Sequence, residues 1–288
     1  MFDGFQLDHI DVGEVTTRVR YAGAGTPIVL LHGHPRTHTT WHAVAPRLAE
    51  HHFVVAPDLR GYGGSALPPD AAGHAQSSKR AMAGDVVRLM AHLGHDRFAV
   101  AGHDRGALVA FRTAMDHPEL VSHLIVMDGL PVIEQLERTD ATFALAYWHW
   151  WFLAQADTPE RVICADPDAW YRIGEPAALG EGNHADVVTA LHDPAVVHGM
   201  CEDYRAGLGI DRDHEDADRS AGRQVMCPTL LLESAHDDLD LHGDPAAIWA
   251  PWIANSLRHR VIDSGHHQAE QAPAAVAEAL LGFLSHGE

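Results

Sequence analysis

Gly102-His103-Asp104-Arg105-Gly106 sets a carboxylate near the middle of a glycine-flanked turn, directly after the apolar run Phe98 to Gly102 and before a helical stretch. That is the form of a sharp strand-to-helix turn, which pushes its central side chain out at the head of a helix. The glycines allow close backbone packing, and the helix N-terminus favours negative charge. A serine there would need a base before attacking an acyl carbonyl. Aspartate is already an anion, so it can attack an sp³ carbon unaided and become an alkyl ester. Water must then cleave that ester, which calls for a base and for donors to meet the developing oxyanion.

Ser264-Gly265-His266 follows the last apolar run and offers His266 as that base; the neighbouring His267 is expected to point elsewhere. A lone loop histidine is more often inert, and it is the order strand, turn, insertion, strand, histidine that singles out His266. His32-Gly33-His34-Pro35 follows the run Thr26 to Leu31. Folds with such a turn draw one oxyanion N–H from this loop and the other from the residue after the nucleophile, so His34 and Arg105 are the candidates. Two acids compete to fix the tautomer of the base. Asp128 ends the run after the turn and Asp237 lies in the loop after the next run; either position suits the role.

These residues need a scaffold, and the chain supplies one. Thr26 to Leu31, Phe53 to Pro57, Phe98 to Gly102, Leu124 to Asp128, Thr229 to Ser234 and Arg258 to Ile262 read as strands. Trp41 to Ala49, Ala81 to Leu93 and Gly106 to Asp116 carry helical periodicity. The alternation predicts an α/β fold with a mostly parallel sheet covered on both faces. It stops near Leu130 and resumes near Cys227. We expect residues 1–129 and 223–288 to form the core, and 130–222 to form a helical lid over the C-terminal edge of the sheet, where such folds bind ligands. The lid is rich in aromatics (Tyr147, Trp148, Trp150, Trp151, Trp170, Tyr171), and its end, Asp211 to Arg223, reads as a charged surface return.

At 288 residues the chain suits one large domain or a domain with an insertion. A net charge of −20 argues against nucleic acid or an anionic membrane as partner, and leaves a small-molecule substrate. No run is apolar enough to span a bilayer, and Met1 to Ile10 lacks the marks of a signal peptide. Cys164, Cys201 and Cys227, widely spaced and odd in number, fit reduced thiols in the cytoplasm. The 24 histidines show no metal-binding spacing, so neither a metal nor an organic cofactor is expected.

The chain resembles the fluoroacetate dehalogenase group of α/β-hydrolase-fold enzymes, with epoxide hydrolases one step further out. The resemblance covers nearly the whole chain. It rests on His32-Gly33-His34-Pro35 with Thr37-His38, Asp58-Leu59-Arg60-Gly61-Tyr62-Gly63-Gly64-Ser65, the Asp104 turn, Asp116-His117-Pro118 and Ser264-Gly265-His266. The lid motifs are the specific ones: Ala146-Tyr147-Trp148-His149-Trp150, Ala165-Asp166-Pro167-Asp168, His198-Gly199 and Asp203-Tyr204-Arg205-Ala206-Gly207. The resemblance implies a hydrolytic dehalogenase and a homodimer. Asp104 would attack the halogen-bearing carbon, His266 would activate water, and Asp128 would support His266. His149, Trp150 and Tyr204 would hold the leaving halide, while Tyr147, Trp148 and Trp151 would pack lid to core. Indole N–H only donates, and Tyr and His can donate too, which suits a developing anion. Epoxide hydrolysis on the same scaffold is the alternative; Tyr147 and Tyr204 would then protonate the opening oxygen. The sequence departs from the group in its substrate contacts. Arg105 is present, but the second carboxylate-clamping arginine, four positions after the nucleophile, is Leu108. Arg36 replaces a residue that is usually uncharged, and His34 stands where the group has an aromatic residue.

Overall fold

The computed structural model describes residues 1–285. Eight strands form one sheet in the order β1-β2-β4-β3-β5-β6-β7-β8. They are β1 Gln6–Asp11, β2 Thr16–Ala22, β3 Pro27–Leu31, β4 Phe53–Pro57, β5 Phe98–His103, β6 Val121–Met127, β7 Thr229–Ser234 and β8 Leu257–Ile262. β3 to β8 run parallel, and β1 and β2 add on antiparallel. The six strands expected from the sequence are all present. The β1–β2 pair was not expected, because β1 is exposed at nearly every position and carries little apolar signal.

The inner strands read as continuous apolar runs because both faces are covered. In β3, Ile28 and Leu30 face one core layer while Val29 and Leu31 face the other. The helices Lys79–His92 and Arg105–Asp116 close the first layer, and Pro273–Leu284 closes the second. Strand order reverses between β3 and β5. The loops after these two strands therefore diverge at their C-terminal ends and open a crevice there.

Between β6 and β7 the chain runs through helices from Val132 to Ser220. Trp150, Leu153, Ile163, Val197, Cys201 and Tyr204 form a small core within this segment. Its helix Pro194–Ala206 sits tightly on the body: a Cβ added to Gly199 would lie 2.3 Å from the Gly61 carbonyl oxygen. Glu270 ties three regions together. It receives a forked pair from Arg36, the hydroxyl of Thr40 and the side-chain amide of Asn183. Two expectations need correction. The stretch Asp211 to Arg223 is not a simple surface return, because Glu215 and Asp218 are buried; Glu215 accepts the Ile133 N–H and Asp218 pairs with Arg112. Trp148 does not pack lid to core. It is 52% exposed and packs against Phe152 at a tilt and against Trp170 edge-on.

Candidate active site

Asp104 sits between β5 and the helix Arg105–Asp116 at φ 52°, ψ −117°, a conformation that an L-residue adopts only under constraint. The constraint is the packing around it. A Cβ on Gly102 would strike the Gly106 carbonyl at 2.0 Å, and one on Gly33 would strike Asp104 Oδ1 at 2.4 Å. The turn and the loop after β3 thus meet too closely for a side chain at either glycine. Asp104 Oδ1 accepts the His34 N–H at 2.7 Å and the backbone N–H of Arg105 adds to it. These are the two donors expected. Burial alone would raise the Asp104 pKa, but the charges of His266, Arg105 and neighbours, with the Arg105 N–H, hold it below the usual carboxylate value.

His266 Nε2 lies 3.9 Å from Asp104 Oδ2, and its Nδ1 lies 2.8 Å from Asp237 Oδ2. The ring is therefore held by Asp237, the alternative acid, and not by Asp128. Asp128 is turned away because its oxygens are taken: Oδ1 accepts the Ser234 N–H at 2.8 Å, and Oδ2 lies 2.5 Å from Ser234 Oγ and 2.7 Å from Gln268 Nε2. Burial would lower the His266 pKa, but the bond to Asp237 and the Asp104 charge raise it to about 9. His103 Nε2 contacts the His266 carbonyl at 2.6 Å, so that nitrogen carries the hydrogen; burial keeps the ring neutral, with a pKa of about 3. His103, Ser234 and Gln268 escaped the sequence reading. They hold the base loop through backbone and amide contacts, which leave no motif.

Above the carboxylate stand the lid groups. Tyr204 lies 6.0 Å from the His149 ring and 6.2 Å from Trp150, centroid to centroid. Tyr204 and Trp150 are buried, and none of the three side chains has a hydrogen-bond partner among the described residues. Their donors are thus unspent. Burial lowers His149 to about 4, so it stands neutral. Tyr147 stacks on Phe143 and His149, close enough to Asp237 and Asp104 for their charges to raise its pKa beyond the effect of burial. His34 places its ring edge-on to Tyr204, and its Nδ1 is buried without a partner.

The substrate-recognition set is brought together only in part. Arg105 is buried against Tyr204, 4.4 Å from the ring centroid, and gives Nε and Nη2 to Asp203. Lys79 bonds the same Asp203, and Tyr62 donates to it as well. Gly207 makes the room, since a Cβ there would meet Arg105 Nη2 at 2.7 Å. Leu108 is buried on the same helix. Arg36 is not directed at the substrate; its guanidinium is committed to Glu270. A concavity of about 1260 Å³ opens elsewhere and is lined by Arg47, His51, Arg97 and Leu281, none of them part of this site.

A parallel sheet with a strained turn, an anionic residue on it, two N–H donors beside that residue and a carboxylate-backed histidine define the architecture of an α/β hydrolase. Comparison with known proteins agrees. The profile of the alpha/beta hydrolase fold family matches residues 26–162. Fluoroacetate dehalogenase from Burkholderia sp is 42% identical over 99% of this chain and 95% of its own length. Soluble epoxide hydrolase from Corynebacterium sp. (strain C12) is 31% identical, covering 99% and 96%. A solved α/β-hydrolase structure from Nostoc sp PCC 7120 superposes with a TM-score of 0.95 at 38% identity, covering 99% and 100%. The chain belongs to the α/β-hydrolase fold family, in the branch that holds fluoroacetate dehalogenase and the epoxide hydrolases.

Proposed function

We propose that this enzyme hydrolyses the carbon–halogen bond of a small organohalide. The observation that carries the reading is the pose of Asp104: Oδ1 is bonded to the His34 N–H, while Oδ2 faces His266 below unspent lid donors. Oδ2 attacks the carbon bearing the halogen. The carbon–halogen bond breaks, and the halide leaves toward His149, Trp150 and Tyr204. Alkylation also removes the Asp104 charge. That charge is one of the influences raising His266 toward 9, so the ring releases its proton more readily once the ester has formed. Neutral His266, oriented by Asp237, then takes a proton from water. The hydroxide adds to the Asp104 carboxyl carbon, and the negative charge gathers on Oδ1 between the His34 and Arg105 N–H groups. Collapse breaks the ester bond, the departing alkoxide takes the proton held by His266 and leaves as the alcohol, and the Asp104 carboxyl gives its proton to solvent, which restores the carboxylate.

The recognition set supports a longer or less charged substrate than a haloacetate. Arg105 has spent most of its donors on Asp203, Leu108 offers apolar wall, and Arg36 is engaged with Glu270. Weak turnover of the smallest haloacetates and a preference for bulkier haloacids or neutral haloamides follow. A homodimer is the expected assembly, as the resemblance to the dehalogenase group implies. Free thiols at Cys164, Cys201 and Cys227 suit a cytoplasmic setting.

One experiment tests the chemistry. Attack needs Asp104 and not His266, whereas ester cleavage needs both. His266→Asn incubated with a haloacid or haloamide is expected to release one equivalent of halide and to retain the alkyl group. Intact-protein mass spectrometry should find that mass on the peptide bearing Asp104, and it should vanish in the Asp104→Asn/His266→Asn pair. Turnover of epoxides with no halide release from any haloacid or haloamide would move the reading to epoxide hydrolysis, with Tyr147 and Tyr204 as the acids.

A further inference from the structure

His34 brings more to the site than its backbone N–H. Its ring stands edge-on to Tyr204, with 5.2 Å between centroids, and 5.9 Å from Tyr171, so the lid closes it in from two sides. Nδ1 is buried and has no hydrogen-bond partner among the described residues. Nε2 makes no hydrogen bond to them either, and it is not enclosed. The steps proposed above use neither nitrogen. Burial lowers the ring's pKa to about 3; the Asp104 charge opposes this and the Arg105 charge reinforces it. The ring is therefore neutral, with one N–H to give and one bare nitrogen. An enclosed N–H without an acceptor is rarer than an acceptor short of a donor, as backbone groups show. That preference puts the hydrogen on Nε2, the nitrogen that a ligand can reach.

The charges around the ring restrict what that ligand can be. Asp104 is held in its ionised form until it attacks. The two cations of the site, Arg105 and His266, are each held by a carboxylate, Asp203 and Asp237. Leu108 carries no charge, Arg36 is bound to Glu270, and His149 is neutral. A carboxylate ligand would therefore lie beside the Asp104 anion with no cation of its own, and a buried charge without a partner is expensive. A carbonyl oxygen without net charge asks only for an N–H.

Resting on the function proposed above, we infer that the His34 ring is a specificity-determining group, whose Nε2–H donates to the carbonyl oxygen of an uncharged α-halocarbonyl substrate such as a haloamide. Because the same residue holds Asp104 Oδ1, the ring is tied close to the carbon under attack, and a carbonyl one bond from that carbon is the group it meets. The ring exchanges no proton. It orients the substrate and satisfies a donor that the protein leaves unspent.

Two measurements on the full-length chain test this. The first needs no turnover. Imidazole nitrogen NMR near neutral pH should show one protonated and one bare nitrogen for the ring whose signals vanish in His34→Phe. The protonated signal should move on titration with propanamide, which has the carbonyl and no halogen, and far less with propanoate. A doubly protonated ring, no response to propanamide, or an equal response to propanoate overturns the inference. The second measurement is specificity, read as bromide release from 2-bromopropanamide and from 1-bromopropane, which lacks the carbonyl. His34→Phe keeps a ring and the backbone N–H but removes both nitrogens, whereas His34→Gln restores an N–H at about the reach of Nε2. The ratio of kcat/KM for the amide to that for the haloalkane should fall about tenfold in His34→Phe, the worth of one neutral hydrogen bond. It should recover in part in His34→Gln. Most of the loss should appear in KM, because ground state and transition state share the bond. An unchanged ratio in His34→Phe, or an equal fall in His34→Gln, would make the ring a packing group and overturn the inference. If wild type releases no bromide from either compound while propanamide still moves the His34 signal, the dehalogenase reading fails and the carbonyl contact stands.

Discussion

On the function proposed above, Leu108 stands where the dehalogenase group is expected to carry a second carboxylate-clamping arginine, and its neighbour Arg105 is mostly committed to Asp203. A hydrogen bond to a charged group is worth about 1.5–3 kcal/mol, so one missing clamp residue costs about tenfold to a hundredfold in carboxylate binding. Leu108→Arg is accordingly expected to lower KM for fluoroacetate by about that factor relative to fluoroacetamide, with both substrates assayed on wild type and variant. An equal change for both would show that residue 108 acts by shape and not by charge. At this scale Asp104 and His266 were legible in the sequence because a strained turn and a post-strand histidine have fixed chain positions. The choice between Asp128 and Asp237 was not. It depends on which carboxyl is already saturated by Ser234 and Gln268, and those contacts join three separate segments. Arg36 misled for a similar reason: its partner, Glu270, is 234 residues away in sequence.

The strands and helices that place these residues meet at backbone contacts as much as at side chains. Gly61 and Gly199 press the lid helix Pro194–Ala206 onto the body, and the same helix carries Asp203 and Tyr204 toward Arg105. Gly199→Ala must part the two backbones, and overpacking of this kind costs about 1–3 kcal/mol. We expect a lower Tm and, because Tyr204 moves with the helix, a larger loss of kcat for a fluoride substrate than for a bromide. Gly209→Ala is the control, since nothing lies within 4 Å of a Cβ placed there. Equal behaviour of the two variants would refute a close-contact role for Gly199. The parallel strands were legible because burial on both faces makes them apolar throughout. The β1–β2 hairpin was not, as an edge pair half open to solvent leaves only a sparse alternation. The charged stretch at Asp211 to Arg223 looked like surface because nothing local reveals that Arg112 awaits Asp218.

Taken whole, the molecule is an acidic body with a net charge of −20, and an anionic substrate must approach against that field. Salt screens such a field within about 10 Å at 0.1 M. Raising ionic strength with an inert salt should therefore increase kcat/KM for a haloacid by a few-fold, a range of effect typical of long-range steering, and leave a haloamide nearly unchanged. A haloacid rate that is flat in salt would mean that local structure, not global charge, governs entry. Among the described residues no helix is long and apolar enough to cross a membrane. Glu270 also says something about the order in which the enzyme comes into being. A chain emerging from the ribosome folds its earlier parts first. The loop bearing Arg36 and Thr40, and the lid residue Asn183, are all made before the carboxylate that joins them. His266 arrives only four positions before Glu270. The newborn protein therefore has Asp104 before it has His266, with the lid unfastened at this point, and both deficits end together as one short stretch carrying His266 and Glu270 docks.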